Sequence, residues 1–273
     1  MPEILKDLST DALLRANIAN LYASSPLSIN LPQAEVHKAH DLSWCITGIL
    51  LPQCNIVFGA RLKPELVDDT IKTIVEKARI RNVPLRWLVG QDTEPADLGD
   101  RLLSYGFTTS GLAPLMAIDL LSMKTDLAGP SNLVITEIRD NDSFETWYRV
   151  FAQGFGIPRE RELALPRWYG AVRNLDLPFH FYLAFQNGKP VAISQLFLAE
   201  GVAGLYCVAT IPEARKQGIG YAVSLKPLQD AFDMGYRVGT LQSSKMGKPI
   251  YSKMGFTECG QMAAYQWMKY ETQ

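Results

Sequence analysis

Leu205–Gly220, LYCVATIPEARKQGIG, is the stretch whose reading decides the fold. Leu205, Tyr206, Val208 and Thr210 favour extended backbone, and Cys207 and Ala209 are small and easily buried, so its first half predicts a strand. Pro212 ends any regular ladder. The cationic Arg215 and Lys216 follow, and Gly218 and Gly220 stand where a helical pattern begins. The N–H groups of a first helical turn lack intrahelical partners, and glycines admit an anion to them with no Cβ in the way. Arg215 and Lys216 add charge from the rim, the guanidinium with several directed donors. Such a place suits a diphosphate better than a single carboxylate. The same residues also read as two glycines that only open a helix against a sheet.

Two better-known phosphate loops do not fit. A dinucleotide fingerprint needs a third glycine where this chain has Val223. A P-loop needs Ser or Thr after its Gly-Lys pair, and here Gly247-Lys248 is followed by Pro249.

Arg215-Lys216-Gln217-Gly218-Ile219-Gly220, following VAT-x-P, has the form R-x-x-G-x-G and resembles the acyl-CoA pyrophosphate motif of the GNAT family of N-acetyltransferases. Ser243–Phe256, SSKMGKPIYSKMGF, resembles that family's segment ending in Y-x-x-x-G-F. The two motifs in order, with a helix and a strand between them, are more specific than either alone. The resemblance implies an α/β protein of two GNAT-like domains, each a mixed, largely antiparallel sheet flanked by helices.

It further implies acetyl-CoA as the cofactor and direct transfer of the acetyl group to an unidentified primary amine, on a small molecule or a peptide. Extended backbone at Val208, Ala209 and Thr210 would bond the pantetheine arm. Amides of Gln217, Gly218, Ile219 and Gly220 would hold the pyrophosphate, helped by Arg215 and Lys216. Tyr251 takes the position of the family's general acid, its other reading being an ordinary buried tyrosine. Ser244 stands where family members often carry asparagine and keeps a shorter hydrogen-bonding group. The general base stays open among Glu137, Glu160, Asp176, Glu200 and a water chain. An alternative, motivated by Ser244 and the unassigned base, is a non-catalytic CoA-binding regulatory or interaction module.

The chain has 273 residues, 47% hydrophobic and 20% charged, which describes a folded protein with a substantial core. A net charge of −1 and the absence of a basic run disfavour nucleic acid as a partner. No apolar stretch reaches the roughly 18 residues of a spanning helix, and the N-terminus lacks a signal peptide's pattern, so a cytoplasmic protein without a membrane partner is expected. Cys45, Cys54, Cys207 and Cys259 form no CxxC pair, and His37, His40 and His180 form no metal motif. Buried thiols and no metal are expected. Oligomeric state stays open.

Along the first half, a helix from Leu8 should bury Leu14, Ile18 and Leu21, with Ser9, Thr10 or Asp11 as its cap. Strands are expected in SWCITGIL and NIVFGARL, then a helix over Pro64–Arg79 burying Leu66, Ile71, Ile74, Val75 and Ala78. A strand over Pro84–Gly90, a helix capped by Asp92 or Thr93 and a strand near Leu115–Leu120 complete a small α/β domain. This half resembles a degenerate copy of the same fold: Tyr105-Gly106-Phe107 resembles the G-F ending, but Gly90–Pro95, GQDTEP, replaces the glycine loop with acids that repel a diphosphate. It is expected to bind no acyl-CoA and to serve instead as a wall for the acceptor site.

Lys124–Ser131 is the best boundary, giving domains 1–126 and 131–273. The second half predicts a strand at Asn132–Ile138 and a helix around Asp142–Phe151, whose Phe144, Trp147, Tyr148 and Phe151 share a face as core or as pocket. Asn187-Gly188 between two extended runs signals a hairpin. In the helix after Gly218, Ala222, Leu225, Leu228 and Phe232 should face the sheet, with Pro227 kinking it, before a strand at Arg237–Leu241.

Overall fold

The computed structural model describes residues 3–25, 31–125, 129–173 and 177–268. In chain order its elements are α1 (Thr10–Ala23), β1 (Glu35–Lys38), β2 (Ser43–Ile46), β3 (Asn55–Phe58), α2 (Val67–Ile80), β4 (Leu85–Gly90), α3 (Leu98–Ser104), β5 (Thr108–Asp119), β6 (Leu133–Ile138) and α4 (Asn141–Phe155). There follow α5 (Arg159–Glu162), α6 (Leu165–Arg173), β7 (Phe179–Gln186), β8 (Lys189–Ala199), β9 (Val202–Thr210), α7 (Ile219–Asp233), β10 (Val238–Gln242), α8 (Lys248–Met254) and β11 (Thr257–Trp267). The fold is α/β, with mixed sheet pairing and flanking helices.

The described residues form two compact units. One draws on Met1–Ala23, Pro114–Tyr169 and Asp176–Gly260, the other on Ser24–Ala113, Gly170–Leu175 and Gln261–Gln273. Compactness therefore interleaves the linear divisions 1–126 and 131–273: α1 groups with the later part of the chain, and the end of β11 with the earlier part. Asp126, inside the expected boundary, lies outside the described residues.

In the unit containing Ser24–Ala113, β1, β2 and β3 pair antiparallel, β3 and β4 parallel, and β4 antiparallel with Met262–Trp267 of β11. A parallel pair needs a crossover, and α2 supplies it. Val67, Ile71, Ile74, Val75 and Ala78 of α2 are buried with Trp44, Leu85, Trp87 and Trp267. Leu66, expected in that face, is 52% exposed because it belongs to the 3-10 turn Pro64–Leu66 that precedes α2. Asp97 rather than Asp92 or Thr93 stands at the N-cap of α3. The strands β1 and β11 go unpredicted.

The unit containing Asp176–Gly260 carries the order β5-β10-β9-β8-β7-β6, antiparallel except for β9 and β10. Asn187 and Gly188 turn between β7 and β8 at φ 51° and 75°, as a tight hairpin requires. The two faces of this sheet take different helices: Tyr182 donates to Asp230 of α7 at 2.9 Å, while the neighbouring Phe181 meets Trp147 of α4 edge-on at 5.3 Å. The aromatics of α4 are core, since Phe144, Trp147, Tyr148 and Phe151 are all buried.

Two helices bury a different stripe from the one their apolar spacing suggests. In α7 the buried residues are Ile219, Tyr221, Val223, Ser224, Pro227, Leu228 and Ala231, whereas Ala222 and Leu225 are half-buried and Phe232 is 40% exposed. In α1, Ser9 provides the expected cap, its Oγ accepting from Ala12 N–H at 3.4 Å. Its buried face holds Ala12, Ala16, Ile18 and, against expectation, Asn17 and Asn20, while Leu14 and Leu21 are half-buried. Helix α7 runs through Pro227, which has no N–H for the carbonyl of Val223 one turn earlier. Ser194 of β8 takes over, donating its Oγ–H to that carbonyl at 2.7 Å.

Ser194→Ala is expected to destabilise the protein by about 1–2 kcal/mol in urea unfolding. The loss should shrink in a Pro227→Ala background, where position 227 regains an N–H for the same carbonyl. Equal losses in both backgrounds would show that Ser194 does not compensate for the proline.

Candidate active site

Strands β9 and β10 run side by side, yet their ladder consists of Gly239↔Ala203 and Thr240↔Gly204 alone. Beyond those pairs β9 keeps β8 on its other edge, to Ala192↔Thr210, and β10 keeps β5, to Gln242↔Leu115. Past Gly204 and Thr240 the facing edges of the two strands are no longer joined to each other. Within the same stretch, β9 carries an extra residue against Ile193–Gln195, and Cys207 there adopts φ 51°. Bulges of this kind re-aim backbone groups and concentrate beside active sites.

The chain leaves β9 through a 3-10 turn at Pro212–Ala214 and enters α7 at Gly218. Ala214 and Ile219 are buried in one apolar cluster with Ala184, Val191, Ala192 and Val223. Between these anchors Arg215, Lys216, Gln217 and Gly218 are exposed. Lys216 at φ 61° and Gly218 at φ 79° fold the loop back, and Gly218 has no side chain to cap the helix start. The first-turn amides of α7 are therefore presented together with the partial positive charge of a helix N-terminus.

Arg215 also has partners within the protein. Its Nε donates to the carbonyl of Thr210 at 3.1 Å and one terminal nitrogen to the carbonyl of Gly154 at 2.9 Å, so it first ties the loop to β9 and α4. Gly154 has to be small: a Cβ there would stand 2.7 Å from Cβ of Ala209. Gln217 accepts from Gln186 at 3.1 Å. A Cβ on Gly220 would meet Ile250 at 3.5 Å and Thr210 Oγ1 at 3.8 Å, which brings β9, the start of α7 and α8 to one point.

Tyr251 lies on α8, buried and edge-on to Phe256 at 5.8 Å. Burial pushes its phenol up to about 12, and a hydrogen bond with Ser224 partly counters the rise. Ser224 also donates to the carbonyl of Gly220 at 2.8 Å, so one serine links the phenol to the first turn of α7. Ser224 was not singled out from sequence, although its spacing from Gly220 by one helical turn is the signal that could find it. Ser244 builds the turn into α8, its Oγ accepting from Gly247 N–H at 3.1 Å.

Behind the bulge, Cys207 donates to Gln195 Oε1 at 3.1 Å and lies 3.6 Å from the Tyr169 hydroxyl, and burial raises its thiol to about 11. That thiol is neutral and hydrogen-bonded, unlike a nucleophilic cysteine. The base candidates do not gather. Glu137 bonds His180 at 2.9 Å and Arg139 at 3.1 Å, and Glu160 is exposed. Glu200, also exposed, occupies a turn at the opposite end of β9 from Thr210, roughly 30 Å away at about 3.3 Å per residue. Asp176 lies outside the described residues.

The other unit has a strand-to-helix loop after β4, and three of its amides have partners within the protein. Gly90 N–H donates to Thr93 Oγ1 at 2.9 Å, Thr93 N–H to Gly90 at 3.3 Å and Glu94 N–H to Ala60 at 2.9 Å. Among the described residues no group of three or more His, Cys, Asp or Glu could hold a metal, and no helix is long and apolar enough to cross a membrane.

Residues 142–256 match the family model described as Acetyltransferase (GNAT) family. The matched segment contains β9, the glycine loop, α7 and Tyr251, and it supports the resemblance read from them. The chain is similar in fold to a GCN5-related N-acetyltransferase from Kribbella flavida, at 17% identity and TM-score 0.70, covering 93% of this chain and 97% of that one. A conserved protein of unknown function from Staphylococcus epidermidis is similar at 14% identity and TM-score 0.69, over 89% and 96% of the two chains. A tandem GNAT protein from the clavulanic acid biosynthesis pathway is similar at 12% identity and TM-score 0.58, over 98% and 97%. No curated protein sequence matches the chain.

The two loop glycines should respond differently to one methyl group. Gly218→Ala, at φ 79°, is expected to cost about 1–2 kcal/mol in denaturant unfolding. Gly220→Ala, with helical backbone and room for a Cβ, should be neutral or slightly stabilising. The reverse order would contradict the loop geometry.

Proposed function

We propose that the chain is an acyl-CoA-dependent N-acyltransferase that moves an acetyl group from acetyl-CoA to a primary amine by direct attack. The observation that carries the reading is the two-pair ladder of β9 and β10, beyond which β9 leads through the exposed loop Arg215–Gly218 into the first turn of α7, with Tyr251 tied to that turn through Ser224. The family match over residues 142–256 supports it.

The residues present fit the group. Backbone at Val208, Ala209 and Thr210 offers an edge to an amide-bearing arm, and amides at Gln217, Gly218, Ile219 and Gly220 offer an anion cradle. Lys216 is exposed beside them, and Arg215 holds the loop in shape while presenting its charge. Ser244 acts through the turn that sets α8, and so through Tyr251. Acetyl-CoA, when bound, supplies a thioester whose C–S bond breaks as the C–N bond to the amine forms.

The pKa of Tyr251 narrows its role. A phenol held at about 12 is a weaker acid than an ordinary thiol at about 8.5, so full proton transfer to a thiolate is uphill. The phenol instead donates a hydrogen bond to the departing sulfur, and the proton that finally neutralises it originates on the attacking amine. The amine must arrive neutral for the attack to start.

The first linear half, 1–126, is proposed to be a degenerate copy with no acyl-CoA site, supported by the engagement of the Gly90, Thr93 and Glu94 amides within the protein. Domains 1–126 and 131–273 remain the proposed linear copies, and a wall for the acceptor is the proposed task of the first.

Tyr251→Phe is expected to lower kcat about a hundredfold, the loss typical of one donor to developing charge, with acetyl-CoA affinity little changed. In the wild type, Tyr251 should cause no alkaline fall in kcat below about pH 10. Unchanged turnover in the variant across that range would remove Tyr251 from the reaction. Gly220→Leu should abolish calorimetric binding of acetyl-CoA while Gly220→Ala retains it. Equal affinity in both would overturn the cradle, and tight binding without turnover on a broad amine panel would identify a CoA-binding module instead.

A further inference from the structure

Helix α1 carries two carboxamides on its inner face, one helical turn apart, and both are fully buried. A buried amide on a packing helix is costly unless all its bonds are met. Asn17 Nδ2 donates to the carbonyl of Met116 on β5 at 2.9 Å and to that of Leu241 on β10 at 3.2 Å, while its oxygen accepts from Gln242 Nε2 at 2.7 Å. Asn20 Nδ2 lies near three carbonyls: Phe197 at 3.3 Å and Ala199 at 2.9 Å on β8, and Val202 on β9 at 3.4 Å. Its oxygen accepts from the Tyr206 hydroxyl at 2.7 Å.

These bonds fall on the two strands that part company. Asn17 holds β10 together with β5, and Asn20 holds β9 together with β8. The last paired residues of β9 and β10 are Gly204 and Thr240, and continuing that register by two residues sets Tyr206 opposite Gln242. Those are the two side chains that reach back to Asn20 and Asn17. Gly204 makes room for the contact, because a Cβ there would stand 2.0 Å from Asn20 Oδ1.

We infer that α1 is a clamp that fixes the separation of β9 and β10 where their ladder ends, with Asn17, Asn20, Tyr206 and Gln242 as positioning residues. None of the four is required to touch the reacting atoms. Each strand is tied to its outer neighbour and to one rigid helix, so the facing edges cannot close onto each other or splay further. A helix from the start of the sequence thereby becomes part of the acyl site, through partners as far as 225 positions away. The clamp depends on the acyltransferase reading only for the identity of what enters the gap.

The test uses the full chain. Asn17→Ala, Asn20→Ala and Gly204→Ala, the last displacing the Asn20 carboxamide without deleting it, are compared with Tyr182→Phe, which breaks a bond to α7 on the other face. Hydrogen–deuterium exchange without ligand should rise about tenfold at Leu205–Thr210 and Leu241–Ser243 in the first three, and acetyl-CoA affinity should fall by a similar factor, small misplacements having large effects at such sites. Tyr182→Phe should move neither. Unchanged exchange at the gap, or an equal rise in Tyr182→Phe, would overturn the clamp. If the wild type binds no acetyl-CoA, the acyltransferase reading fails and exchange alone decides the clamp. Should Asn20→Ala not fold, Tyr206→Phe, which removes one bond from the same carboxamide, carries the exchange measurement.

Discussion

Two parallel neighbours joined by only two residue pairs are the constraint from which the rest of the site follows. A parallel pair requires a crossover, and α7 makes it by leaving the end of β9 and returning the chain to β10. The helix N-terminus is therefore delivered to the same end of the sheet where the two strands have lost each other. The end of the β9–β10 ladder and the first turn of α7 meet there without any charged side chain having to be buried. The surrounding structure keeps the opening from healing: β8 and β5 hold the outer edges, the bulge at Cys207 breaks the register of β9, and the carboxamides of α1 grip both strands.

The polar groups in this region are arranged in compensating pairs. Pro227 withholds a donor from Val223, and Ser194 supplies one from the sheet. Asn20 has two amide hydrogens and an oxygen to satisfy, carbonyls of β8 and β9 take the hydrogens, and the small Gly204 leaves room for the oxygen to accept from Tyr206. Ser224 satisfies Gly220 while touching the phenol of Tyr251, so the phenol and the first turn of α7 share a residue. Such networks specify one docking register more sharply than apolar contact does, because a shifted helix would leave several buried amides without partners.

What was legible in the sequence was mostly local. Gly218 announces a left-handed turn, Asn187-Gly188 a tight hairpin, and the β-rich run before Pro212 a strand, because each signal is written in the residues that obey it. The buried stripe of α7 was not legible, since Ala222, Leu225 and Phe232 form as good an apolar row as Ile219, Val223, Leu228 and Ala231, and only the anchoring of Ile219 beside Ala214 chooses between them. The face of α1 was missed for a different reason: apolar spacing counts asparagine as surface, and the carbonyls that make Asn17 and Asn20 acceptable inside come from far along the chain. Of the candidate site, the loop and Tyr251 could be named from motif, whereas the engagement of Arg215 with Thr210 and Gly154 depends on a helix end that local sequence does not locate. The exposed β1, EVHK, and the polar β11 lack the alternation by which strands are recognised.

The most direct measurement is a crystal structure of the chain with acetyl-CoA. The account places the diphosphate on the amide hydrogens of Gln217–Gly220, the pantetheine amides on the free edge of β9 at Val208–Thr210, and the sulfur within hydrogen-bond distance of the Tyr251 hydroxyl. A nucleotide bound elsewhere, or a β9 edge closed onto β10 in the complex, would contradict it.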